Sequence, residues 1–211
     1  MPDDSMIGLT SHELGYLLEL APGSAADRAK ATMKLPSPAD RASYLAAGAA
    51  SLLVRKLASV DDAELITPSD LAALIGSVLT ADAIWIELAL LSDPATEAAF
   101  LVFGSTATLV IGPRALGTFE IRIGPRDRTP GQLAAGVIMS FLEVQLPGAA
   151  YARLVDGGTD VAVALRHLDG DVLEFSVNEG DDLFSGTWSG DREVVRQRIA
   201  ETLDGGLADG A

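Results

Sequence analysis

Ile84-Trp85-Ile86-Glu87-Leu88-Ala89-Leu90-Leu91 is where the chain changes its hydrophobic period. Ile84, Ile86, Leu88 and Leu90 alternate with Trp85, Glu87, Ala89 and Leu91, the two-residue repeat of a strand. Upstream the spacing is helical. Tyr44, Leu45, Ala49, Leu52, Leu53, Lys56 and Leu57 recur at three and four, and Leu71, Leu74, Ile75, Val78 and Leu79 do the same. Downstream, Phe100–Phe103 and Thr108–Ile111 read as further strands, and Phe119, Ile121 and Ile123 alternate with Glu120 and Arg122, the three separated by Gly104-Ser105 and Gly112-Pro113. Connections this short cannot carry parallel crossovers, so an antiparallel meander is expected.

Helix starts are read from hydroxyl-proline pairs. Ser37-Pro38, Thr67-Pro68 and Thr129-Pro130 each place an N-cap acceptor before a residue whose missing N–H costs nothing in the first turn. Thr129 with Gln132, and Thr10 with Glu13, add capping-box spacing. A helix from Thr10 to about Leu20, a long one from Pro38, a loop and a helix from Pro68 give a winged-helix-like order ahead of the strands.

The helix from Pro130 to about Gln145 bears Leu133, Val137, Phe141 and Val144, widened by Ile138, Met139 and Leu142. So broad a stripe needs cover from the sheet plus another layer, or from a partner. A second, smaller meander follows at Tyr151–Val155, Val161–Leu168, Val172–Asn178 and Leu183–Trp188, with turns at Asp156-Gly157-Gly158 and Asp169-Gly170. Asp191 caps a last helix bearing Val195, Ile199 and Leu203, with Gly205-Gly206 as its stop. The expected fold is α+β: N-terminal helices over 1–80, a meander plus helix over 81–148, and a second meander plus helix over 149–211, read as one compact unit.

Composition narrows the function. The 211 residues hold 15 Lys+Arg against 30 Asp+Glu, a net charge of −15, which repels nucleic acid and anionic lipid. The helix from Pro68 carries none of the Arg, Lys, Asn or Gln of a DNA-reading helix. Cysteine is absent, so thiol chemistry and thiolate metal sites are excluded. The start, Met1–Ser5, lacks the basic flank of a secretory signal, and Leu133–Leu146 is interrupted by Glu143; a cytoplasmic protein is expected.

Candidate chemistry is sparse. His12 and Glu13 do not begin H-E-x-x-H, because Tyr16 stands where the second histidine would be. His167 has no G-x-S-x-G serine to activate. The acids at Asp61-Asp62, Asp169–Asp171 and Glu179–Asp182 match no calcium loop and suit turns. No catalytic, metal or cofactor residue is therefore assigned. Arg114, Arg122, Arg126 and Arg128 form a basic segment in an acidic chain. With Ile138, Met139 and Leu142 they are the candidate partner-binding residues.

Tyr44-Leu-Ala-Ala-Gly-Ala-Ala-Ser-Leu-Leu-Val-Arg-Lys-Leu57, followed by Leu65-Ile-Thr-Pro-Ser-Asp-Leu-Ala-Ala-Leu74, resembles the type VII (ESX) secretion-associated chaperone family. There an Ala-rich helix ending Leu-x-x-Arg-Gly-Leu precedes a short loop and a Pro-x-Leu-Ala-x-x-Leu helix. Here Lys56 stands at the glycine of that pattern. The resemblance implies a cytosolic, non-enzymatic chaperone shielding an apolar surface of a secreted helical protein. Two other readings stay open from the residues: a small-molecule-binding protein or hydrolase with an atypical site, and a winged-helix regulator. A homodimer is open as well.

Overall fold

The computed structural model describes residues 6–145, 147–155, 161–167, 172–178 and 188–209. In chain order these form β1 (Met6–Thr10), α1 (Ser11–Glu19), α2 (Ser24–Thr32), α3 (Arg41–Val54), β2 (Ala58–Val60), β3 (Ile66–Pro68) and α4 (Asp70–Thr80). There follow β4 (Ile84–Ser92), β5 (Ala95–Phe103), β6 (Thr108–Arg114), β7 (Thr118–Gly124) and α5 (Pro130–Val144). The remainder is β8 (Gly148–Leu154), β9 (Ala162–His167), β10 (Leu173–Asn178), β11 (Trp188–Gly190) and α6 (Arg192–Asp209). The α+β class and the antiparallel pairing expected from the sequence are both present. No described helix is long and apolar enough to cross a membrane.

The chain divides into two compact units, Met1–Ala83 with Val102–Gly124, and Ile84–Leu101 with Pro125–Ala211. In the first, strands run in the order β1-β7-β6. Ile7, Ile121 and Ile111 stand in one cross-strand row, and Leu9 and Phe119 in the next. All five are buried, so the alternation seen in the sequence becomes one dry face. The helices add to this core through Leu14, Leu17 and Leu18 of α1, Ala26 and Ala29 of α2, Leu52 of α3, and Ile75 and Leu79 of α4.

Helices α1 and α3 cross with their backbones nearly touching. A Cβ at Gly48 would stand 2.1 Å from the His12 carbonyl oxygen, so only glycine fits. Beside this crossing, Glu13 is fully buried. Its carboxylate accepts from the Thr10 amide at 2.7 Å, the Ser51 hydroxyl at 2.8 Å, and Arg55 Nη1 at 2.8 and 2.9 Å. Arg55 Nη2 donates onward to the Gly8 carbonyl at 2.8 Å, tying α1, α3 and β1 together. Burial opposes the charge on Glu13, but the bonds from Thr10, Ser51 and Arg55 outweigh it and hold the carboxyl below the ordinary glutamate range.

In the second unit the order is β5-β4-β8-β9-β10-β11, β5 contributing Ala95–Leu101. Leu90, Ala150, Leu165 and Phe175 form one cross-strand row, and Leu88, Ala152 and Val163 another. The alanines of β8 make a shallow floor, and α5 lies on β4 and β8 with α6 against its other flank. Asp204 of α6 accepts from the Thr129 hydroxyl at 2.6 Å and the Gly131 amide at 2.8 Å, closing the start of α5.

Of the expected helix starts, Thr10–Glu13 and Thr129–Gln132 form full capping boxes, and Asp191 caps α6. The other two hydroxyl-proline pairs do not start helices. Asp40 caps α3 through the Ser43 amide, and Thr67-Pro68 lies in β3, with Ser69 preceding α4. The residue before proline favours extended backbone, which a short hairpin strand satisfies as well as an N-cap does. Gly112-Pro113 does not end its strand either; β6 runs through to Arg114, Pro113 lying opposite Phe119. Gly205-Gly206 does not stop α6, which continues to Asp209. A Cβ at Gly206 would stand 2.7 Å from Val161 Cγ2, so that glycine serves close packing. The N-terminal segment also holds β1, α2 and the β2–β3 hairpin beyond the helices expected there. The turns expected at 156–158 and 169–170, the acidic clusters at 169–171 and 179–182, and nearly all of the strand expected at 183–188 lie outside the described residues.

Candidate interaction surface

The four candidate arginines fall into two places. Arg114 ends β6 and Arg122 lies on β7, and both guanidiniums close on one carboxylate, Glu120. The contacts are 3.1 and 3.2 Å from Arg114, and 2.7 and 3.0 Å from Arg122. The bonds from Arg122 and then Arg114 hold the Glu120 carboxyl below the ordinary range, ahead of the small opposing effect of burial. Two cations on one anion leave this cluster with a net positive charge. Arg126 and Arg128 belong to the other unit, in the exposed segment between β7 and α5.

Between Arg114 and Thr118 the chain reverses through Ala115-Leu116-Gly117. Leu116 has φ 60° and ψ 29°, and Gly117 has φ 67°. Leu116 is 99% exposed. Sequence reasoning did not single it out; the signal available was a leucine beside glycine at the centre of a tight hairpin, where Asn-Gly is the favoured pair.

The apolar candidates on α5 are already covered by this chain. Ile138, Met139 and Leu142 are 0%, 7% and 1% exposed, on a helix that packs against α6, β4 and β8. The broad stripe is explained by cover from both the sheet and α6, and a partner would reach these side chains only if this packing opened.

The histidines are engaged in packing. His12 is exposed, its ring 4.4 Å from that of Tyr44 at 32°, and Tyr44 donates to the Ser11 carbonyl. Nε2 of His167 lies 3.2 Å from the Leu142 carbonyl oxygen and donates to it, which leaves Nδ1 buried without a partner. Among the described residues, no three of His, Asp or Glu gather closely enough to hold a metal ion.

The first unit contains a cleft of about 410 Å³ among α1, α2 and the start of α3, lined in part by Leu35, Pro36, Pro38 and Leu45. At one end Glu19 is held between Lys30, at 2.6 Å, and Arg41. The bond from Lys30 is the main reason its carboxyl lies below the ordinary range. A shallow depression of about 420 Å³ in the second unit is lined by Asp93, Thr96, Arg166 and His167 among others.

Lys56, which takes the place of glycine in the family pattern, follows the C-terminus of α3 with φ 58°. Its amide donates to the Leu53 carbonyl and that of Leu57 to the Leu52 carbonyl, the doubled bonding of a helix that ends in a left-handed residue. The backbone there has the shape glycine would adopt.

No family model and no curated protein matches the chain. Among solved structures, its fold is similar to that of the Mycobacterium tuberculosis type VII secretion system chaperone EspG5, solved in complex with a PE25–PPE41 dimer. The likeness has a TM-score of 0.57 at 10% sequence identity and covers 94% of this chain and 96% of that one.

Proposed function

We propose that this chain is a non-enzymatic, cytoplasmic chaperone or adaptor that binds a helical protein destined for secretion and shields its apolar surface. The observation that carries the reading is the likeness in fold to a secretion chaperone over nearly the full length of both chains. That protein was captured holding a protein dimer, and a protein is the partner proposed here. The sequence resemblance over Tyr44–Leu57 and Leu65–Leu74 agrees with it. Arg114 and Arg122 are the contacts we carry forward, with Arg126 and Arg128 as a second basic group; no cofactor or metal enters the reading.

The test is isolation of the intact chain from cells of its source organism, without denaturant, followed by light scattering on the eluted species. The expected result is a complex of fixed stoichiometry with a helical protein that aggregates when produced alone. A chain that elutes by itself, as monomer or homodimer, refutes the proposal.

A further inference from the structure

Leu116 is disfavoured in two independent ways. Its backbone is left-handed, at φ 60°, where the Cβ of an ordinary L-residue crowds the following carbonyl. Its side chain is 99% exposed, so it gains nothing from burial in this chain. Among the described residues, the other non-glycine ones at positive φ are Lys34, Lys56 and Glu64, whose charged ends belong in water. Leu116 alone among them combines the backbone cost with an apolar side chain held in solvent. Asparagine or glycine would relieve both penalties. A residue that serves the fold so poorly is explained by a contact the fold does not contain.

Resting on the protein-binding reading above, we infer that Leu116 is an insertion knob that enters an apolar socket on the partner protein, and that the socket is bordered by carboxylates. The carboxylates follow from the surroundings of the knob. None of the 30 acidic residues falls between Glu97 and Glu120. Arg114 and Arg122 are 49% and 54% exposed as side chains and share the single carboxylate of Glu120. A guanidinium has five N–H groups, so each keeps donors to offer an incoming carboxylate. The tip carries its own bond, the Thr118 hydroxyl donating to the Ala115 carbonyl at 2.9 Å, which closes the turn around Leu116. The knob is thus held ready before contact, and little further ordering is needed on binding.

The test uses the full chain in its source cells with a photo-reactive phenylalanine analogue at position 116, and a second preparation with the analogue at exposed Val144. Cross-linked segments are identified by mass spectrometry. The expected result is one protein joined at 116 through an apolar segment with Asp or Glu within a turn of the junction. Leu116→Asn should lower co-purification of that protein at least tenfold while raising Tm by about 3 °C, as relief of a strained residue does. A fall in Tm on Leu116→Asn shows that the leucine serves the fold and overturns the inference. So does specific capture at 144 with none at 116, an outcome that leaves the protein-binding reading standing. Absence of specific capture at both positions removes both.

Discussion

Removing the Glu13 carboxylate tests whether the first unit is held by a buried charge as well as by its apolar rows. Glu13→Ala takes an acceptor from the Thr10 amide, the Ser51 hydroxyl and both bonds of Arg55 Nη1 at once. Deleting one member of a buried ion pair costs about 3–5 kcal/mol. The Arg55 side chain is 40% exposed and can turn to water, which puts the expected loss near the lower end, about 3 kcal/mol. For a chain of this size that is a fall in Tm of about 6–12 °C. Glu13→Gln keeps one acceptor oxygen but sets an NH2 group against the donors that met the other, so it loses the charge and part of the bonding while leaving no cavity, and it should cost less than Glu13→Ala. Urea titration followed by far-UV circular dichroism measures both, with hydrogen exchange on the α1 and α3 amides to assign the change to this unit. Because the folded carboxyl is held below the ordinary glutamate value of 4.5, its stabilisation is fully present above that pH and is lost as pH falls through the lowered folded value. The difference between the parent chain and Glu13→Gln should therefore shrink on acidification below 4.5. A loss under about 1 kcal/mol for Glu13→Ala, or a difference that grows on acidification, would refute the reasoning.

Lys56→Gly should raise stability by about 0.5–1 kcal/mol, because glycine enters the left-handed residue after α3 without the side-chain penalty; a lower urea midpoint counts against it. Asp204→Ala should cost about 1–2 kcal/mol by uncapping α5, visible as faster hydrogen exchange at Gly131 and its neighbours. Gly48→Ala should cost about 3 kcal/mol, since the added methyl must push α1 and α3 apart, and urea titration reads that loss. By contrast Arg153→Ala, which breaks a half-exposed pair with Glu87 at 2.7 Å, should change stability by less than about 1 kcal/mol, less still at high salt.

What the sequence disclosed and what it withheld divide along the range of the interactions. The strands from Ile84 to Gly124 and the helix from Pro130 were legible because two-residue and 3.6-residue periods are local properties, and Thr129-Pro130 announces its own start. The five residues Met-Ile-Gly-Leu-Thr of β1 do alternate, but their partner is β7, more than a hundred positions away, and no nearby turn marks them as a strand. Helix α2 was hidden because Ser24–Thr32 is rich in alanine and shows little apolar stripe, so only Ala26 and Ala29 reach the interior. Thr67-Pro68 misled because the same dipeptide suits an N-cap and a hairpin strand, and the pairing with Ala58 and Ser59 decided between them. At the candidate surface, charge in the sequence located Arg114 and Arg122, whereas the burial of Ile138, Met139 and Leu142 follows from α5 packing on β4, β8 and α6, the last some sixty residues downstream. Leu116 stood out only once its φ and its exposure were known together.

The bond from Arg55 to the Gly8 carbonyl has a consequence for behaviour at high concentration. Among the described strands, β1 stands at the end of its row, and a terminal strand invites a neighbouring molecule to extend the ladder. Here an arriving chain would have to displace a guanidinium that also anchors a buried glutamate. Loss of that arginine would thus do more than loosen a helix: it would uncover a seam along which misfolded copies could zip together.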